Sequence, residues 1–192
     1  MTIFTYLKLF LGSFFIALLL TPLVRRVAMK FNFMAFPKED RWHREPTALF
    51  GGVAIFIAVM ITMVSFLGLG DNLGLFDLRQ IIGFFIGVFL IFICGIIDDF
   101  KKVVPQVKLL FQIIASCVVI YFGISFTINH AYFEKLPVFV VQLIDLLVIP
   151  FTILWIIGIT NAFNLLDNMD GLSSGVAGIA SVMLFLSGII YR

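Results

Sequence analysis

Residues 149–160, IPFTILWIIGIT, carry no charge at all, yet residues 161–172, NAFNLLDNMDGL, follow at once with three asparagines and two aspartates. The first stretch reads as chain immersed in hydrocarbon. Polar side chains at membrane depth are expensive, so those of the second must face a bundle interior, a water-filled cleft or a ligand. Asn161, Asn164, Asp167 and Asp170 recur every third residue, which on a helix draws a slowly drifting polar stripe, with Asn168 at its edge. A solvated loop would account for the polarity but has no need of the spacing.

The rest of the 192 residues agrees with immersion. The chain is 62% hydrophobic and 12% charged, against about 25% charged in soluble domains, and its mean hydropathy is +1.17. Six runs approach the roughly 20 residues that cross a bilayer: Thr2 to Val24, Leu49 to Leu67, Leu78 to Ile97, Val107 to Phe126, Leu136 to Ile157 and Leu172 to Tyr191. Backbone groups in lipid must bond within their own segment, so these runs are helices. The fold expected is all-α, a polytopic transmembrane bundle of about six helices forming one membrane domain over 1–192. The first run reads as a spanning helix, since no small-residue cleavage pattern follows it. Cys94 and Cys117 sit in apolar runs and read as small buried hydrophobes. A net charge of +2 gives no basis for a nucleic-acid partner.

Charge orients the bundle. Residues 25–47 hold Arg25, Arg26, Lys30, Lys38, Arg41 and Arg44, and residues 98–106 hold Lys101 and Lys102, whereas the second and fourth connectors hold only Arg79 and Lys135. By the positive-inside rule the first and third connectors are cytoplasmic and the N-terminus faces outward; alternation brings the fifth connector, around Thr160 to Gly171, to the cytoplasm as well. The three connectors with unusual polar residues thus share one face, while Asp71, Asp77 and Glu134 on the other read as loop solubilisers.

Four further features bear on chemistry. In GIIDDFKK (95–102) the neighbouring carboxylates Asp98 and Asp99 repel unless protonated, paired or bridged by a cation, although a charged helix end would look the same. In PKEDRWHREPTALFGG (37–52), Arg41, His43 and Arg44 put positive charge beside the membrane, suited to phosphate or equally to topology. Lys108 in VPQVKLLFQ (104–112) can snorkel, but Gln112 one turn deeper is harder to dismiss. Gly51 and Gly52, and Gly175 and Gly178, would allow close helix approach. An all-oxygen set drawn from Asp98 or Asp99 with Asp167 or Asp170 suits magnesium, a hard cation that takes one or two carboxylates and leaves room for substrate phosphates.

These residues resemble the polyprenyl-phosphate N-acetylhexosamine-1-phosphate transferases, glycosyltransferase family 4. HREPTALFGG (43–52) is similar to the family's entry into its second helix, GIIDDF (95–100) and PQVKLLFQ (105–112) to its paired aspartates and following lysine, and LWIIGITNAFNLLDNMDGLSSG (154–175) to its asparagine and aspartate signature. The form is most similar to the undecaprenyl-phosphate GlcNAc-1-phosphate branch. The resemblance implies transfer of a phospho-N-acetylhexosamine from a UDP-sugar to undecaprenyl phosphate at the cytoplasmic face of a bacterial plasma membrane, releasing UMP and initiating a cell-envelope glycan. It implies magnesium, with manganese as the alternative ion, and admits a homodimer. Asp98, Asp99, Asp167 and Asp170 are the implied catalytic carboxylates, with Asp98 and Asp167 on the metal. Arg41, His43, Lys108, Gln112, Asn161, Asn164 and Asn168 are the implied substrate contacts.

Two departures qualify this. Asn168 stands where many members have glycine. Members have ten or eleven spanning helices and a later histidine- and arginine-bearing segment, whereas His43 and His130 are the only histidines here; the expectation is an N-terminal portion of the family fold that is functionally incomplete alone. A transport or scaffold protein is the competing class, kept open by Asp145 within the fifth run, before Pro150. A CDP-alcohol phosphotransferase is excluded, because DGLSSG (170–175) lacks the alanine-arginine pair expected after the first Asp-Gly.

Overall fold

The computed structural model describes residues 3–35, 46–68, 77–133, 136–167 and 171–190. Among the described residues six α-helices follow one another: α1 Ile3–Lys30, α2 Gly51–Gly68, α3 Leu78–Phe100, α4 Pro105–Tyr121, α5 Val138–Leu166 and α6 Leu172–Ile190. Among the described residues α1, α2, α3 and α5 are long and apolar enough to cross a membrane. Helix α4, at 17 residues, and α6, counted over Leu172–Gly188, are apolar but shorter. The protein is therefore all-α and largely membrane-embedded, with four candidate spans.

The chain forms two compact units, one of Met1–Leu73 with Phe163–Arg192 and one of Gly74–Ala162. In the first, α1 packs on α2. Helix α1 continues six residues past the expected Val24, so Arg25, Arg26 and Lys30 belong to its last turns and not to a loop. Lys30 there suits the negative end of the helix dipole. Beyond it β1 (Met34–Ala35) pairs antiparallel with β2 (Thr47–Ala48), Met34 opposite Ala48 and Ala35 opposite Thr47. This ladder was not expected, because two-residue strands leave no alternating pattern to read. It delivers the chain to α2 through Phe50, whose φ of 69° is unusual for a bulky residue; its ring meets that of Phe33 edge-on at 5.2 Å.

In the second unit α3 and α4 form an antiparallel hairpin whose faces touch through glycine. A Cβ built on Gly83 would overlap Cβ of Phe122, and one on Gly87 would overlap Cγ2 of Val119. Small residues let helices approach closely in lipid, where dispersion must replace the hydrophobic effect. At Gly51, Gly52, Gly175 and Gly178 an added Cβ meets open space among the described residues, so the close approach expected there is found at Gly83 and Gly87 instead. Cys94 is buried on α3, but Cys117 on α4 is exposed, contrary to expectation: on a membrane helix an apolar neighbourhood in sequence says nothing of which side faces lipid.

Helix α4 also stops five residues short of the expected Phe126. Residues 122–126 are apolar enough to extend the span, but Gly123 at φ 90° breaks it. The backbone groups released are taken up by side chains of the neighbours. Arg79 Nη2 donates to Tyr121 O at 2.7 Å, Gln80 Nε2 donates to Gly123 O at 3.0 Å, and Phe126 N donates to Thr152 Oγ1 at 3.3 Å. Asp77, expected as a mere solubiliser, is the N-cap of α3 and accepts from Arg79 N at 3.0 Å. Asp71 and Glu134 lie outside the described residues.

Candidate functional site

Asp98 sits on the last turn of α3, and Pro105 opens α4, where its missing N–H leaves no donor orphaned. The four residues between are held by Asp98 itself. Its Oδ1 accepts from Val103 N at 2.9 Å and its Oδ2 accepts from Lys108 Nζ at 2.6 Å. Lys108 is thus drawn to the carboxylate and not left to snorkel outward. The two side chains are 30% and 31% exposed, so the pair borders solvent. A lysine fixed beside an accessible carboxylate can exchange that partner for a phosphate; each Asp98 oxygen keeps a further lone pair for a cation or a proton. Asp99 is exposed and has an interaction of its own; adjacent helix positions diverge, so it does not duplicate Asp98.

One turn along α4, Gln112 is buried. It meets Asn161 of α5 amide to amide: Asn161 Nδ2 donates to Gln112 Oε1 at 2.9 Å and Gln112 Nε2 donates to Asn161 Oδ1 at 3.3 Å. Asn161 Nδ2 also donates to Ile157 O at 3.0 Å. Ser116, a further turn on and fully buried, donates to Gln112 O at 2.7 Å. The polar stripe that begins at Asn161 is helical as far as Leu166, nine residues beyond the expected end of the fifth run. Asn164 is exposed near the end of α5, and the exposed Asp167 closes it, its N–H on Phe163 O at 3.1 Å.

Structure brings together Asp98 with Lys108, and Gln112 with Asn161, all within the second unit; Asn164 and Asp167 belong to the first. Arg41, His43, Asn168 and Asp170 lie outside the described residues. Among the described residues no three His, Cys, Asp or Glu side chains converge as a metal site. The carboxylates of Asp98 and Asp99 in the second unit, and separately that of Asp167 in the first, offer oxygen donors of the kind a hard cation takes. Sequence reasoning missed the Val103 N–H on Asp98 and the reciprocity of the two amides, since neither has a signal before the helices are placed.

Asp145, the residue that kept a transport path open, is paired. His130 Nε2 lies 2.9 Å from its Oδ1, and the two side chains are 60% and 48% exposed. It answers an exposed residue that opens the short 3-10 helix His130–Phe133, and it does not continue the stripe at the other end of α5.

Comparison with known proteins agrees with these signatures. The sequence pattern described as glycosyl transferase family 4 matches residues 81–192, more than half of the chain. A probable undecaprenyl-phosphate N-acetylglucosaminyl 1-phosphate transferase of Bacillus subtilis (strain 168) is 31% identical over 93% of this chain and 48% of its own length. A phospho-N-acetylmuramoyl-pentapeptide-transferase of Thermodesulfovibrio yellowstonii is 30% identical over 93% of this chain and 53% of its own. An undecaprenyl-phosphate alpha-N-acetylglucosaminyl 1-phosphate transferase of Thermotoga maritima is 28% identical over 88% and 48%. The chain spans about half the length of the curated relatives it matches. No solved structure matches it. Paired aspartates answered by a lysine, an asparagine and aspartate stripe at a helix end, and a pattern match across both make this chain a member of glycosyl transferase family 4.

Proposed function

We propose that the chain supplies the phosphate-handling face of a transferase that moves a phospho-N-acetylhexosamine from a UDP-sugar to undecaprenyl phosphate. In the net reaction a lipid-phosphate oxygen bonds to the β-phosphorus of the UDP-sugar, the bond from that phosphorus to the bridging oxygen breaks, and UMP leaves. The observation that carries this is Lys108 held 2.6 Å from Asp98, inside the family-matched residues. Lys108 would neutralise the arriving phosphate, and Asp98 and Asp99 would hold the lipid-phosphate side. Asp98 and Asp167 are the proposed magnesium ligands, with manganese as a substitute. Magnesium, when bound, supplies charge neutralisation on the phosphates. Arg41, His43, Asn164, Asn168 and Asp170 would bind and orient the nucleotide-sugar diphosphate.

Six spans with outward termini and a cytoplasmic active face complete the reading, supported by the distribution of basic residues between connectors. The test is transfer of radiolabelled sugar phosphate to undecaprenyl phosphate in detergent. It is run with the 192 residues alone and with the second half of a full-length relative supplied. Transfer that depends on magnesium and is lost in Asp98→Asn and Asp167→Asn supports the reading; unimpaired transfer by both variants removes their assigned roles.

A further inference from the structure

Gln112 and Asn161 share the stripe that the proposed reaction uses, but their hydrogen bonds point elsewhere. Both Asn161 Nδ2 hydrogens are engaged, one by Gln112 Oε1 at 2.9 Å and one by Ile157 O at 3.0 Å. Gln112 returns a bond to Asn161 Oδ1 at 3.3 Å and is only 7% exposed. A substrate would therefore find no amide hydrogen on Asn161 that is not already bonded. What the pair does instead is fix α4 against α5 at one height. Two amides that each donate and accept are satisfied only in one register, and in lipid a shift of either helix leaves both without water to replace the lost partner.

That register matters because of what lies one turn away. Lys108 and Gln112 are four residues apart on α4 and so share a face. Ser116 continues the face and binds the Gln112 carbonyl at 2.7 Å, stiffening the same turn. We propose that Gln112 and Asn161 are a positioning pair, an amide clamp between α4 and α5 that sets the depth at which Lys108 is presented to Asp98, and that neither contacts substrate. This rests on the reading of Asp98 and Lys108 as the phosphate-handling pair, and it replaces the substrate contacts expected of Gln112 and Asn161 from sequence.

The experiment has an arm that needs no transfer activity. In a chain bearing Asp98→Cys and Lys108→Cys, with Cys94 and Cys117 replaced by alanine, cross-linking by a short bis-methanethiosulfonate reports the presentation of one position to the other. Gln112→Leu or Asn161→Leu should lower the yield at least threefold. The exchange Gln112→Asn with Asn161→Gln, which keeps two facing amides and their combined length, should restore most of it. Yields unchanged by both leucine variants would overturn the clamp. So would failure of the exchange to restore cross-linking while the exchanged chain still unfolds cooperatively. In the native-cysteine protein, with the C-terminal half of a full-length relative supplied if transfer requires it, each leucine variant should lower kcat about tenfold and leave KM for the UDP-sugar within twofold. A tenfold rise in KM at unchanged kcat would make these residues substrate contacts and overturn the proposal. Absence of transfer by the parent protein under every condition would count against the transferase reading alone, and the cross-linking arm would still decide the clamp.

Discussion

Lys108 Nζ stands 2.6 Å from Asp98 Oδ2 across the turn that joins α3 to α4, and the other oxygen of the same carboxylate holds the Val103 N–H. One side chain therefore both shapes the turn and carries the charge. Asparagine at position 98 keeps an acceptor for Val103 N–H, whereas alanine removes it. Thermal unfolding in detergent should place Asp98→Asn above Asp98→Ala by about 1 kcal/mol, the usual worth of such a bond. Both should lose transfer. Equal melting would show that the cap to Val103 contributes nothing.

The α3–α4 contact admits no added volume at Gly87, where a Cβ would run into Cγ2 of Val119. Gly87→Ala should destabilise the protein by about 1–3 kcal/mol, the usual penalty for overpacking. Adding Val119→Ala removes the obstructing methyl and should recover part of the loss. The readout is the denaturation midpoint of the two single variants and the double.

Asp145 supports a different outcome. Its pairing with His130 is exposed at both partners, and exposed ion pairs are worth about 0–1 kcal/mol. Asp145→Asn should leave transfer within about twofold, whereas Asp167→Asn should lower it by about a hundredfold, as expected when charge stabilisation at a reacting phosphate is lost. A proton or ion path through α5 would reverse that order.

Orientation can be read by labelling. Single cysteines replacing Arg41 and Lys101 should react with an impermeant maleimide only after the cytoplasmic side is opened, and one replacing His130 should react from outside. Arg41 and Lys101 on opposite sides would dismantle the one-face arrangement.

Much of this architecture was legible. The six apolar runs each correspond to a helix, and the three-residue spacing marked helix at Asn161 and Asn164, where polarity alone suggested loop, although the helix ends at Leu166, before Asp167. The ends were less legible, for physical reasons. Hydropathy carried the fourth run to Phe126 because it does not register the left-handed turn at Gly123, and it ended the first run at Val24 because charge in Arg25 and Arg26 does not stop a helix. At the candidate site, Asp98, Lys108, Gln112 and Asn161 could each be picked out by polarity in an apolar setting. Which of them would pair could not, since ten residues separate one couple and 49 the other, and only folding closes those distances.

In the proposed six-span arrangement, the early stop of α4 also sets a condition on the surrounding lipid. Seventeen helical residues measure about 26 Å, less than the roughly 30 Å of a typical hydrocarbon core, and Arg79 and Gln80 stand where the helix ends. On this side the acyl chains must shorten or splay to keep polar groups wetted, whereas the 29 residues of α5 measure about 44 Å and must tilt or protrude. The Gly74–Ala162 unit thus combines a short helix with most of a long one, and its strain depends on the thickness of the bilayer. Reconstitution in short-chain lipids should relax the α3–α4 hairpin, and long-chain lipids should pull on Arg79 and Gln80, the two side chains that close it.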